Sequence, residues 1–76
     1  MEGRLKKIMA QVFDAPIESI NNDASPDTID NWDSVNHINL ALALEQAFGI
    51  SFEADEIIEM MNFELILIIL KDKGIC

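Results

Sequence analysis

From Ile8 to Leu70 the sequence contains no lysine and no arginine. Its five bases sit at the ends, with Arg4, Lys6 and Lys7 before that stretch and Lys71 and Lys73 after it. Of the 14 acids only Glu2 and Asp72 lie outside it. A chain with a formal net charge of −9 repels nucleic-acid phosphates and anionic membranes and is steered toward basic patches on proteins. Neither nucleic-acid binding nor membrane insertion is therefore expected, although acidity by itself often does no more than keep a protein dissolved. Cysteine is almost absent: the single Cys76 excludes an intrachain disulfide framework. That points to a reducing, cytoplasmic setting, with Cys76 an incidental exposed thiol rather than a nucleophile. No apolar run reaches the ~20 residues of a membrane span. The start, "MEGRLKKIMAQVF", lacks the apolar centre and cleavage site of a signal peptide.

Size excludes more. A chain of 76 residues has room for one domain, residues 1–76, and a domain of that size buries only roughly 60–65% of the surface its unfolded chain exposes. A deep enzyme cleft is not expected, and the chain is read as a non-enzyme and a monomer. Half of the residues are hydrophobic and a quarter charged, which is a globular rather than a disordered composition.

Helical periodicity organises the rest. In "GRLKKIMAQVF" the residues Leu5, Ile8, Met9 and Val12 share one face, and Pro16 predicts a stop near Asp14 because the residue before a proline avoids helical angles. Residues 15–33 are polar and turn-rich, a connection longer than compact domains usually carry without a function. Ile17, Ile20, Ile29 and Trp32 are expected to pin it to the core. A second helix is predicted from Ser34 to Phe48, capped by Asp33 or Ser34 and closed by Gly49 in a left-handed conformation, with Ile50 in apolar contact. "ADEIIEMM" predicts a short third helix with acids in its first turn. Asn62 is placed to cap a fourth, "FELILIILKDK", closed by Lys71, Lys73 and Gly74. Residues 65–70 favour a strand locally, but no second strand exists to pair with them, so helix is assigned. The predicted fold is all-α, a small four-helix bundle with one long first loop. Along residues 65–70 of the fourth helix six consecutive aliphatic residues face every direction, so periodicity alone gives it no preferred side.

Projected at about 100° per residue, the second helix carries two apolar stripes. Leu40, Ala41, Leu44, Ala47 and Phe48 form one. Val35, Ile38 and Leu42 form the other, beside Asn39, Glu45 and Gln46. A domain this small usually covers only one such stripe, so the second is either a docking surface or is buried by the long loop and the other helices. Ser34 lies where the first amides of a helix are unpaired and the dipole welcomes an anion. Plain capping explains the same position.

The arrangement resembles the acyl carrier protein family. The residues that carry the resemblance are Asp33-Ser34-Val35 at the opening of the second helix, "LALALEQAFGI" along it, "DEI" in the third, and "LKKIMAQVF" and "INNDAS" in the first helix and loop. They span nearly the whole chain. The resemblance implies that Ser34 bears a 4′-phosphopantetheine arm, attached from coenzyme A by a phosphopantetheinyl transferase of the holo-carrier synthase type, with Asp33 part of the motif. The arm's thiol would hold acyl groups as thioesters for acyl-transferring and chain-elongating enzymes of fatty-acid, lipid or polyketide-type biosynthesis. The expected partner face comprises Val35, Ile38, Asn39, Leu42 and Glu45, with Glu53, Asp55 and Glu56 at the third helix. The chain departs from the family pattern in having "DNWDS" where Leu-Gly commonly precedes Asp-Ser, Val35 in place of Leu, and neutral Asn36, Asn39 and Gln46 along the partner helix. A specialised carrier fits these departures. Along the fourth helix the resemblance implies Phe63, Leu67 and Leu70 in the core, with Leu65 and Ile68 at least partly exposed where the family usually has polar residues.

Other readings fit less well. A hydrolase using Ser34, His37 and an Asp lacks the G-x-S-x-G elbow and any scaffold for an oxyanion hole. Asp27, Asp30 and Asp33 are spaced by three, wrong for a calcium loop that alternates every second residue and needs a glycine at its sixth position. No metal is expected. Two alternatives stand: an aminoacyl or peptidyl carrier, and, from a different class, an unmodified helical interaction module. A chain that opens at Met1 and closes just past its last helix favours a discrete shuttle over a module of a larger enzyme.

Overall fold

The computed structural model describes residues 2–75, so the expectation for Cys76 lies outside the described residues. Four α-helices and one short 3₁₀ turn follow in order, and no strand occurs among the described residues. Helix α1, Glu2–Phe13, buries Leu5, Met9 and Phe13 on one ridge, with Ile8 and Val12 half-buried beside it. Phe13 extends the predicted face by one more turn. The helix closes at Asp14, whose φ of 50° is left-handed, while the Ala15 N–H donates to the Ala10 carbonyl at 3.0 Å. Asp tolerates that conformation better than bulkier side chains do, and the closure satisfies a carbonyl the helix would otherwise leave unpaired.

The segment from Asp14 to Asp33 is held by its own polar side chains. The amides of Asp23, Ser25 and Asp27 donate to the side chains of Asn21, Thr28 and Ser25 respectively. Ile20, Ile29 and Trp32 reach the core as expected, joined by Ala24. Ile17 does not: it is 43% exposed. The 3₁₀ turn Ile17–Ser19 closes with the Ile20 N–H donating to the Ile17 carbonyl, and Ile20, at the end of that turn, takes the core position.

Helix α2 spans Ser34–Phe48, the predicted bounds. It ends at Gly49, φ 67°, whose N–H donates to Glu45, and the Ile50 N–H donates to the same carbonyl. Leu40, Ala41 and Leu44 are buried, and Ala47 and Phe48 half-buried. Arg4 reaches from α1 to donate to the Ala47 carbonyl at 2.7 Å, with its guanidinium over the Phe48 ring. A cation at a helix C-terminus opposes the dipole. Among the helix pairs, α1 and α2 make the most extensive contact.

Helix α3, Ala54–Glu59, is shorter than the predicted segment. Met60 leaves the helix to be fully buried, and that turn inward ends it. Helix α4, Phe63–Asp72, is capped by the Asn62 side chain, which accepts from the Leu65 N–H at 2.8 Å. The Phe63 N–H donates to the Ala24 carbonyl and so ties the helix start to the long loop. That anchor sets the rotation of α4: Phe63, Ile66, Ile69 and Leu70 face inward, and Leu67, expected in the core, sits half-buried on the flank. Leu65 and Ile68 are 38% and 55% exposed, as expected. The buried residues form a single cluster. No helix among the described residues is long and apolar enough to cross a membrane.

Candidate functional site

The start of α2 separates two roles that the sequence left open between neighbours. Asp33 is the N-cap: its backbone is extended, and its Oδ1 accepts from the Asn36 N–H at 2.8 Å. Ser34 is then the first helical residue. Its side chain is exposed, and its hydroxyl has no hydrogen-bond partner among the described residues. With the cap supplied from Asp33, nothing in the local structure requires an oxygen on Ser34. The first amides of α2 point outward beside it, as at any helix start.

Next to Ser34 is an open cavity of about 520 Å³ between α2 and α3. Trp32, Ile38, Ile57, Ile58 and Met61 make its wall largely apolar, while Asp33, Ser34 and His37 supply the polar groups. Trp32 is only 4% exposed and stacks on Phe13, with ring centroids 4.9 Å apart. Its Nε1–H donates to His37 Nδ1 at 2.9 Å. An indole nitrogen can only donate, so Nδ1 carries no proton and His37 is the neutral Nε2–H tautomer. That Nε2–H donates to the Ile57 carbonyl at 2.6 Å. Both ring nitrogens are therefore committed, and His37 is not placed to take a proton from Ser34.

The Trp32–His37 contact was missed in the sequence, yet it has a signature there. With Asp33 as N-cap, Trp32 precedes the cap and His37 is the fourth helical residue, the two positions that pack together in a hydrophobic staple. The rings lie 6.2 Å apart at 19°.

The expected partner residues divide into exposed and engaged groups. Val35, Ile38 and Leu42 are 69%, 55% and 51% exposed, so the long loop does not cover the second stripe. Asn39 is exposed and donates to Asn36. Glu45 is half-buried, and its Oε2 accepts from the Phe52 N–H at 2.7 Å, which commits one of its oxygens to the loop before α3. Glu53 and Glu56 form a reciprocal capping box at the start of α3, and Glu56 also pairs with Lys73 at 2.8 Å. The Glu56 carboxyl is held below the usual carboxylate range, first by the Glu53 backbone N–H and then by Lys73. Asp55 is exposed. Among the described residues no group of three His, Cys, Asp or Glu side chains is placed to hold a metal ion. No protein-family model matches the chain, and no curated protein matches it in sequence.

Proposed function

We propose that this chain is a carrier of the acyl carrier protein type, folded as that family's helical bundle with its long first loop and acting in the cytoplasm. Ser34 is its attachment point for 4′-phosphopantetheine. The observation that carries the proposal is an exposed serine hydroxyl at the opening of α2, released from capping by Asp33 and bordering an apolar cavity of about 520 Å³. A phosphate ester on Ser34 would lie against the outward amides and positive end of the helix dipole. The Asp33 carboxylate is turned to the Asn36 amide. When attached, the arm supplies a thiol that holds acyl groups as thioesters. The chain's own residues do the presenting: α2 fixes the hydroxyl, the cap keeps the helix start rigid, and Val35, Ile38 and Leu42 offer apolar contact to enzymes that load or unload the arm. Asn39 and the acids Glu45, Glu53, Asp55 and Glu56 complete the face and suit partners with basic patches.

The test is intact-mass measurement after incubation with coenzyme A and a broad-specificity phosphopantetheinyl transferase. Wild type gains the mass of one arm, and Ser34→Ala gains none. Modification of both chains, or of neither, rejects the proposal. The second outcome would favour the unmodified interaction module, for which the exposed α2 stripe alone suffices.

A further inference from the structure

Helix α3 is the least anchored of the four. It spans six residues, and none of its side chains is fully buried. It nevertheless forms one wall of the cavity beside Ser34, through Ile57 and Ile58, and the start of α2 with Trp32 forms the other. Among the described residues one hydrogen bond crosses from the start of α2 to α3, that from His37 Nε2 to the Ile57 carbonyl. Its fixed end is not His37 itself but Trp32, which is stacked into the core on Phe13. By donating to Nδ1, Trp32 selects the tautomer in which Nε2 carries the proton that α3 needs.

We propose that His37 is a positioning residue, a latch between the two cavity walls, and that Trp32 sets it. With the latch closed, α3 stays against α2. With it open, α3 turns about the ties that remain at its ends, the Glu45–Phe52 bond before it, the Glu56–Lys73 pair at the α4 side and the buried Met60 after it, and the cavity widens toward a group attached at Ser34. The identity of that group rests on the carrier reading, but the latch itself does not.

The first experiment uses the unmodified protein and follows backbone amide exchange helix by helix. His37→Phe keeps an aromatic ring on Trp32 and removes both hydrogen bonds. It should speed exchange at the last amides of α3 and at Met60 by about 2- to 12-fold, the range one net hydrogen bond confers, and leave α1, α2 and α4 nearly unchanged. His37→Gln, whose amide can accept from Trp32 and donate to Ile57, should restore much of the protection. A merely structural histidine would raise exchange in all four helices together, and that result, or unchanged α3 protection, overturns the proposal. If His37→Phe fails to fold, wild type and Trp32→Phe decide through the imidazole nitrogen shifts. Wild type should show the Nε2–H tautomer alone and Trp32→Phe a mixture, whereas an Nδ1–H tautomer in wild type refutes the latch.

A second experiment tests opening without relying on any transferase. Ser34→Cys in a Cys76→Ser background is coupled to an octyl chain with an octyl thiosulfonate. The attached chain should speed α3 exchange when His37 is present and add little in His37→Phe. Equal α3 protection with and without the octyl chain overturns the role in opening. Failure of Ser34 to accept an arm in the transferase assay would reject the carrier reading alone.

Discussion

If Asp33 caps α2 and Ser34 does not, the two neighbours must respond very differently to the same truncation. Asp33 Oδ1 accepts from the Asn36 N–H at 2.8 Å, and replacing such a cap by alanine costs about 1 kcal/mol, within a range of roughly 0.5–2. For a domain of 60–100 residues each kcal/mol moves the melting temperature by about 4–8 °C. Asp33→Ala should therefore melt about 4–8 °C below wild type, while Asp33→Asn, an equivalent cap, should stay close to it. Ser34 is exposed and makes no bond within the described residues, and alanine is the better helix former. Ser34→Ala should therefore lie within about 0.5 kcal/mol of wild type. Thermal unfolding by circular dichroism, run beside the mass assay, reads both quantities on the same samples. Ser34→Ala should lose the arm and keep its stability, and Asp33→Ala should lose stability first. If Ser34→Ala destabilises as much as Asp33→Ala, the serine is a cap and the argument for its presentation collapses.

The remaining predictions follow from burial and charge. Leu40, fully buried, should cost about 2–5 kcal/mol as Leu40→Ala, whereas Ile38→Lys or Leu42→Lys on the exposed stripe should change stability by about 0.5 kcal/mol or less and slow turnover by a transferase. Comparable unfolding of the two sets would place the stripe in the core. Replacing Leu65 and Ile68 together by lysine should leave the melting temperature nearly unchanged and reduce self-association measured by sedimentation, since both are exposed; a marked drop would show that they are buried in solution. The Glu56 carboxyl is depressed by the Glu53 N–H and by Lys73, so its stabilisation is present above the ordinary glutamate range and is lost as pH falls through the lowered folded value. Melting curves of wild type and Glu56→Gln should therefore differ at neutral pH and converge in acid. A gap independent of pH would exclude the charge as its source.

How much of this was legible depends on whether the signal was local. The bounds of α2 could be read because each end has its own chemistry, Asp33 before it and Gly49 after it. That Val35, Ile38 and Leu42 form a second stripe followed from the helical period, whereas their exposure did not, since the period does not show what covers a face. What failed was rotation and loop path, which tertiary contacts decide. Leu67 was placed in the core by the family pattern, because six consecutive aliphatic residues give no preferred face of their own, and the Phe63–Ala24 bond that orients α4 joins residues far apart in sequence. Ile17 and Ile20 look alike in composition, and only the 3₁₀ turn between them separates surface from core. At the site, the position of Ser34 was legible, while the Trp32–His37–Ile57 chain of bonds was not. Its first link has a staple signature, but its second reaches 20 residues along the chain.

The exposed apolar side chains are not the residue of a loosely packed molecule. The accessible surface of 4561 Å² is close to the roughly 4,650 Å² that size alone predicts for a folded monomer of this mass, so the chain is as compact as monomers of its size usually are. Among the described residues eight large hydrophobic side chains remain exposed all the same. Scattered singly they would need no explanation, but their placement is uneven. Val35, Ile38 and Leu42 follow one another along a single stripe of α2, and Ile38, Ile58 and Met61 also line the cavity that borders Ser34. Five of the eight thus gather where the one uncommitted hydroxyl at a helix start is presented. A patch of that kind is costly in water and useful in contact. Under the carrier proposal, a partner that covers it while acting on Ser34 would remove the cost only for the duration of the encounter, which favours brief docking over permanent assembly.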